Sequence, residues 1–302
     1  MLDLGRVCIP LGLDCNFHCK YCFRDMSKTK DIPMTLNNDM KKYLSQLDSN
    51  VCESVLVSGG EPLLYLDTIK EVFSYVPKDI HKCIMSNCSL LTQDIVDYMN
   101  ENDIELHLSH DGAMTKYLRG VDVLENKKLR NLIAQVKILM VFSVVTSKNC
   151  DVVANYKDTV TKLGREDIIY KTNAVYDTGY NKELVEGFDY DLFMKSFAEF
   201  TMYYSNYTPF YDSCYMNRGK SKRRGGYNVD LHGNVRSMNY LTIYGNVYNT
   251  YEELERNKEK TEDVSYCNGK NCGFKDRCKI MKTLASEHFC KCAKITEEVY
   301  NG

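Results

Sequence analysis

The sequence predicts an α/β fold, a partial (β/α)6 TIM-like barrel followed by a small cysteine-rich C-terminal domain. Two observations lead to this prediction. Short apolar runs alternate with amphipathic helical patterns over the first two thirds of the 302 residues, as expected of parallel strands joined by helices. Beyond residue 205, tyrosine, asparagine and glycine become dense and the periodicity fades. We therefore divide the chain into domains at residues 1–205 and 206–302.

Six strands are predicted in the first domain, each short, apolar and bounded by turn or polar residues. They are Val7–Leu13, Ser54–Ser58, Lys82–Ser86, Ile104–Ser109, Ile138–Val145 and Asp167–Lys171. Six strand–helix units cannot close as eight do, so we expect a barrel that is open on one side. In such sheets the functional residues follow the C-terminal ends of the strands.

Helices are predicted between these strands from apolar residues at helical spacing. The four faces are Leu36, Met40, Leu44 and Leu47; Ile69, Val72, Phe73 and Val76; Leu129, Leu132, Ile133 and Val136; and Val153, Tyr156, Val160 and Leu163. Thr35 is the predicted N-cap of the first. Later elements are a helix through Tyr190–Phe200, a hairpin of Tyr227–Asp230 with Asn234–Met238, and a polar helix over Tyr251–Lys260.

Composition limits the function classes. The formal net charge of −2 argues against nucleic acid or an anionic membrane as a partner. No apolar run is long enough for a membrane span, and the N-terminus lacks the features of a signal peptide, so we expect a cytoplasmic protein. In a reducing compartment, the 14 cysteines indicate metal or cluster ligation better than disulfides.

Three cysteines follow the first predicted strand. Cys15, Cys19 and Cys22 read C-x-x-x-C-x-x-C. Three thiolates on one loop suit a [4Fe-4S] cube with one iron left without a protein ligand, which is the open position that catalysis needs. The alternative is a zinc knuckle or three buried thiols, although no fourth ligand lies at knuckle spacing.

This motif resembles that of the radical S-adenosylmethionine (SAM) superfamily, including its aromatic neighbours. Gly59-Gly60-Glu61-Pro62 after the second strand is similar to the superfamily's glycine-rich motif. The resemblance implies that the backbone of this segment meets the SAM amino group, and two glycines permit such a close approach. A GG turn before a helix is common by itself, so the two motifs together carry the resemblance.

Further matches over residues 1–180 imply other contacts with SAM. By resemblance Tyr21 and Asn87 belong to the cofactor site, Asn87 near the ribose. Ser109-His110-Asp111-Gly112 is similar to the family's S-x-D-G, which implies a contact from Ser109. Arg119 resembles the arginine that holds the SAM carboxylate, a task that suits the planar guanidinium. A surface arginine is the alternative for Arg119.

The C-terminal cysteines resemble the SPASM extension of radical SAM enzymes that modify peptides. Two of the family's ligand positions are occupied by Met238 and Lys282, and both serve the same cluster. The resemblance therefore implies one auxiliary [4Fe-4S] cluster, not two. Its ligands would be Cys267, Cys272, Cys278 and either Cys290 or Cys292, with Cys290 taken as the ligand. A structural zinc site with the same thiolates is the alternative.

If the first auxiliary cluster is lost, as the resemblance implies, Cys214 would no longer serve as a cluster ligand. It becomes a candidate hydrogen-atom donor to a carbon radical, or else a buried remnant. Asn239 replaces the aspartate of the sulfatase-maturing branch, which disfavours that branch. The basic run at 218–224 and the tyrosines at 203–215 are candidate substrate contacts, with a solvated loop and a packing interface as the alternatives.

The resemblance implies that SAM is cleaved reductively to a 5′-deoxyadenosyl radical, which removes hydrogen from a substrate. A peptide or protein is the expected substrate, undergoing epimerisation, crosslinking or oxidation, with flavodoxin or ferredoxin as the one-electron donor. The absence of a peptide-recognition domain before the barrel argues mildly against ribosomal peptides. One alternative is a radical SAM dehydrogenase or isomerase acting on a sugar, nucleotide or modified base. Another is a non-catalytic metal-binding interaction protein.

Overall fold

The computed structural model describes residues 2, 4–22, 32–175, 181–204, 227–237 and 242–261. The strands within these ranges are β1 (Arg6–Leu11), β2 (Ser54–Gly59), β3 (His81–Ser86), β4 (Glu105–Ser109), β5 (Leu139–Val145), β6 (Ile169–Ala174), β7 (Tyr227–Val229), β8 (Asn234–Arg236) and β9 (Ile243–Asn246). They form one sheet in the linear order β6-β5-β4-β3-β2-β1-β7-β8-β9. Strands β1 to β6 are parallel, which confirms the α/β fold.

Helices follow most of these strands. They are α1 (Asn38–Ser45), α2 (Leu66–Tyr75), α3 (Gln93–Glu101), α4 (Thr115–Arg119), α5 (Lys127–Ala134), α6 (Val152–Leu163), α7 (Lys182–Val185), α8 (Tyr190–Tyr203) and α9 (Tyr251–Thr261). Their apolar faces are buried, as predicted; Ile69, Val72 and Phe73 of α2 are examples. The described helices include none long and apolar enough to cross a bilayer.

Two sequence predictions of local structure are wrong. Thr35 does not cap α1, because the helix begins later. Asn37 is the N-cap, and its side chain accepts a hydrogen bond of 2.8 Å from the Met40 N–H. Strand β6 begins at Ile169 and not at Asp167, because Asp167 forms an exposed ion pair with Arg165 in the preceding turn. In both cases a local polar contact sets the boundary.

The hairpin predicted after residue 226 is present and extends the barrel sheet. Strand β7 joins β1 in parallel, and β8 and β9 continue antiparallel. The turn between β7 and β8 contains Gly233 at φ +80°, a conformation that favours glycine. Buried Asp230 accepts hydrogen bonds from the backbone N–H groups of His232 (2.9 Å) and Asn234 (3.0 Å). These contacts fix the turn at the predicted position.

Aromatic packing holds α8 against the barrel. The ring of Tyr156 on α6 lies 5.3 Å from that of Phe200 and 5.5 Å from that of Tyr170 on β6. Tyr204 packs on Tyr156 at 5.4 Å, whereas Tyr203 is exposed. Of the tyrosine-rich stretch, Tyr204 therefore belongs to a packing interface. The later tyrosines of that stretch lie outside the described residues.

Strand register gathers the functional segments at one edge of the sheet. Leu11 at the end of β1 pairs with Gly59 at the end of β2. Ser86 at the end of β3 lies beside Leu108 near the end of β4, and Ser109 beside Phe142 of β5. Because the strands are parallel, the loops that follow them emerge side by side. All the N-terminal sequence motifs lie in or at the start of these loops.

The turn after β4 depends on a glycine pressed against α6. Gly112 has φ +66°, and a Cβ there would lie 2.6 Å from the Asn155 Cα. Gly164 has a similar φ of +69° but open space around it. We predict that Gly164→Ala lowers the free energy of unfolding by roughly 1–2 kcal/mol, the strain of the left-handed conformation.

Gly112→Ala should cost about 1–3 kcal/mol more, since the α6 backbone must also shift. Urea unfolding of both variants measures the difference. Equal losses would contradict the close packing of this turn on α6.

Candidate functional site

The loop after β1 presents the three cysteines of the N-terminal motif. Cys15, Cys19 and Cys22 are all half-buried. The Phe17 N–H points to the Cys15 sulfur at 3.4 Å, and the Cys22 N–H donates to the Cys19 carbonyl at 3.0 Å. No disulfide forms among the cysteines of the described residues. The loop therefore offers three thiols that protein contacts hold in a compact turn.

Backbone contacts seat this loop on the turn that follows β2. The Gly60 N–H donates to the Gly12 carbonyl at 3.1 Å, and the Glu61 N–H donates to the Asp14 carbonyl at 2.8 Å. A Cβ on Gly60 would lie 1.7 Å from the Asp14 carbonyl oxygen. Gly59 adopts φ +125°, where a Cβ would lie 2.6 Å from the Gly12 carbonyl oxygen. Only glycines allow the two segments to approach this closely.

Tyr65 also holds the cysteine loop in place, through the residue before Cys15. Its hydroxyl donates a 2.6 Å hydrogen bond to the Asp14 carboxylate. Burial, together with that carboxylate, raises the pKa of Tyr65 to about 12. The phenol therefore stays protonated and keeps donating throughout the neutral range. Asp14 directly precedes Cys15, so this contact fixes the entrance to the cysteine loop.

The buried Glu61 carboxylate braces the ends of β2 and β3. It accepts hydrogen bonds from the Ser86 hydroxyl (2.7 Å), the Asn87 N–H (2.8 Å) and the Leu63 N–H (3.1 Å). The side chain is therefore engaged within the protein. Pro62 is also buried and begins the short 3₁₀ turn that follows. With the Glu61 and Pro62 side chains packed inside the protein, the part of this motif that meets the cysteine loop is its backbone.

Asn87 connects the end of β3 with the cysteine loop. Its side-chain amide donates to the Asn16 side chain at 2.9 Å and lies 3.9 Å from the Cys15 sulfur. The next residue, Cys88, adopts φ +62°, which is uncommon outside glycine and costs of order 1–3 kcal/mol. This strained turn directs Asn87 toward the loop.

Asp111 is the buried centre of the site. Its carboxylate accepts hydrogen bonds from the Tyr21 hydroxyl (2.6 Å), the Val144 N–H (2.7 Å) and Arg119, whose Nε and Nη2 lie at 2.7 and 3.1 Å. One carboxylate thus joins the cysteine loop, β5 and α4. Ser109, two residues earlier, is half-buried at the end of β4.

Arg119 is buried and not a surface residue, so the alternative considered for it is wrong. Burial alone would lower its pKa, but the Asp111 carboxylate outweighs burial and holds the pKa above its usual value. Burial also raises the pKa of Tyr21, against the opposing effect of Arg119. The guanidinium carbon lies 5.3 Å from the centre of the Tyr21 ring. Both side chains are therefore fixed beside the cysteines.

Sequence reasoning overlooked the central part that Asp111 plays. Asp111 lies in the S-x-D-G segment, for which the sequence predicts a cofactor contact from Ser109 only. Asp111 and Arg119 are eight residues apart, which is not a helical contact spacing. The sequence signal that could have pointed to Asp111 is an acidic residue just after a strand, followed within ten residues by Arg119.

The residues present fit a [4Fe-4S] cluster with SAM. Three thiols lie on one loop, and the glycine turn beneath them leaves no room for a side chain. The buried guanidinium of Arg119 lies beside the loop. The cysteines assigned to an auxiliary cluster or to hydrogen donation lie outside the described residues: Cys214, Cys267, Cys272, Cys278, Cys290 and Cys292. Those assignments, and the domain boundary at 205, stay predictions.

Among the arginine–aspartate ion pairs of the described residues, two have the same Nε-to-carboxylate distance of 2.7 Å but differ in burial. Arg119 with Asp111 is buried, whereas Asp167 of the Arg165 pair is 73% exposed. Asp111→Asn would leave the guanidinium buried without a counter-charge, and we predict a loss of about 3–5 kcal/mol in the free energy of unfolding.

Asp167→Asn is the matched control and should cost less than about 1 kcal/mol. Chemical denaturation of the two variants makes the comparison. Similar small losses in both would show that Asp111 does not organise the site.

Comparison with known proteins agrees with this geometry. Residues 9–137 match the profile of the radical SAM superfamily. The uncharacterized protein MJ0907 of Methanocaldococcus jannaschii is 29% identical over 103 residues, which are 32% of this chain and 35% of that protein. The chain thus matches about a third of this curated relative.

Solved structures share the fold. The structure of anSMEcpe with bound AdoMet (SAM) and the Kp18Cys peptide has a TM-score of 0.68 at 18% identity, covering 99% of this chain and 98% of that chain. Streptococcus suis SuiB bound to the precursor peptide SuiA has a TM-score of 0.63 at 17% identity, covering 92% and 71%. The sequence match and the site geometry together identify residues 9–137 as a radical SAM domain, which implies a [4Fe-4S] cluster and SAM as its cofactors.

Proposed function

We propose that this chain is a radical SAM enzyme that removes a hydrogen atom from a peptide or protein. The seating of the three-cysteine loop on the glycine turn after β2 is the observation that carries the proposal. Cys15, Cys19 and Cys22 would bind the [4Fe-4S] cluster. When bound, the reduced cluster and SAM supply reductive cleavage of the sulfonium and a 5′-deoxyadenosyl radical.

The protein groups around the loop would bind and orient SAM. The backbone of Gly59 to Pro62 would meet the amino group of SAM, and Asn87 and Ser109 lie at the neighbouring strand ends. The two bonds to Asp111 use two of the five N–H donors of Arg119, so three remain for a carboxylate. Asp111 thereby positions both Arg119 and Tyr21.

Two solved relatives support a peptide substrate. Both anSMEcpe and SuiB were determined with peptides bound, and both share the fold over most of this chain. The region from 206 to 302 would hold one auxiliary cluster through Cys267, Cys272, Cys278 and Cys290. Cys214 would donate a hydrogen atom to the substrate radical, and flavodoxin or ferredoxin would supply electrons.

The cluster assignment predicts different effects for replacing Cys19 and Cys88. Cys19→Ser removes a ligand and should lose about four irons per chain and all formation of 5′-deoxyadenosine after anaerobic reconstitution. Cys88→Ser is the control, because this buried thiol donates to the Ser86 carbonyl and lies outside the loop. It should keep the iron and the product. Retention of both in Cys19→Ser would contradict the proposed cluster site.

The substrate class is tested by deuterium transfer. The reduced enzyme and unlabelled SAM are incubated with size fractions of an extract from cells grown in deuterated medium. We expect deuterium in 5′-deoxyadenosine from the peptide and protein fraction, and none from the small-molecule fraction. Transfer from sugars or nucleotides alone would contradict the peptide assignment but leave the cluster site intact.

A further inference from the structure

Four side chains of types that bind metal ions lie together at the starts of β3 and β4. His81 and Cys83 alternate on β3, and Glu105 and His107 alternate on β4. Cys83 pairs in register with Glu105. Because residues two apart in a strand point to the same side, all four side chains lie on one face of the sheet. This group is at the N-terminal ends of the strands, opposite the cysteine loop.

Three of these residues bring their ligand atoms close together. One atom each from His81, Cys83 and Glu105 lies within 4.8 Å of the other two. The His81 Nε2 is 3.0 Å from the Glu105 carboxylate. Cys83 and Glu105 are buried, whereas the His81 side chain is 40% exposed and gives an ion a path from solvent.

Some polar atoms of these four side chains have no hydrogen-bond partner among the described residues. The Cys83 thiol has no hydrogen bond within the described part of the chain. His107 is buried, and its Nε2 contacts the Glu105 carboxylate. Its Nδ1 has no partner among the residues that the structure describes. The contact through its Nε2 therefore orients the Glu105 carboxylate, which is the role that residues around a metal ligand commonly have.

The donor set and the local charge favour zinc. Nitrogen, sulfur and carboxylate oxygen together are typical of zinc, whereas magnesium and calcium require oxygen ligands. The positive charges of Arg6 and Lys171 act on Cys83 and His107, and alone they would repel a cation. A thiolate and a carboxylate supply two negative charges, which compensate the charge of the ion.

We propose that His81, Cys83 and Glu105 bind a zinc ion that links β3 to β4 at the N-terminal ends of these strands. His107 holds the Glu105 carboxylate in place, and water completes the fourth position. On binding, the Cys83 thiol releases its proton and the sulfur forms a bond to zinc, with no change of oxidation state. This site is separate from the radical SAM cofactors and does not depend on the function proposed above.

Cobalt is the probe, because thiolate-bound Co²⁺ absorbs light and Zn²⁺ does not. The full chain is first reconstituted anaerobically with iron and sulfide, so that the cluster site is filled, and then titrated with Co²⁺. Wild type and the control Cys52→Ser, another buried thiol, should gain the same thiolate-to-cobalt absorption. Cys83→Ser should lack it. The same absorption in Cys83→Ser as in wild type, or none in wild type, would overturn the proposal.

His81→Asn keeps the test valid if Cys83→Ser fails to fold. His81 is half exposed at the start of its strand, so its replacement leaves no cavity. Far-ultraviolet circular dichroism should be unchanged, and zinc affinity measured by competition with a chelator should fall by roughly tenfold or more. An unchanged affinity for zinc in the folded variant would also overturn the proposal.

Discussion

The contact between two backbone segments, the turn after β2 and the loop after β1, is the constraint on which the rest of the site depends. The parallel pairing of β1 with β2 brings their C-terminal ends together. The backbone at Gly60 then packs so closely on the Asp14 carbonyl that no Cβ fits between them. Any larger residue would push the cysteine loop away from the sheet. The position of the three thiols is therefore set by the absence of a side chain beneath them, and by two backbone hydrogen bonds.

Two buried carboxylates extend this order to the other strand ends. Glu61 binds the end of β3, and Asp111 binds the loop through Tyr21, α4 through Arg119 and β5 through a backbone N–H. Each buried carboxylate is satisfied by several donors, which offsets the cost of burying its charge. Side chains held by several hydrogen bonds have little conformational freedom left to lose when a cofactor binds, so little of the binding free energy is needed to order them. The same architecture separates this edge from the His81–Cys83–Glu105 group at the other end.

Periodic features of this fold could be predicted from sequence, and tertiary ones could not. Buried strands and amphipathic helices leave a pattern, so α2 and the hairpin turn at Gly233 lie where the sequence predicts them. Thr35 and Asn37 are both favoured N-cap residues by type, and the observed helix start shows that Asn37 is the cap. Asp111 and Cys83 acquire their neighbours from the order and alignment of the strands in the sheet, which no local sequence pattern encodes. Cys83 is buried as expected for a core thiol, but its neighbours on β4 make it a candidate ligand.

The open iron of the cluster is the central claim, and electron paramagnetic resonance tests it most directly. The dithionite-reduced chain, reconstituted anaerobically, is frozen with and without SAM, and the Cys19→Ser spectrum is subtracted from each. SAM binding at an iron without a protein ligand should change the remaining signal. A reduced-cluster signal that SAM leaves unaltered, or no signal beyond that of Cys19→Ser, would contradict the account.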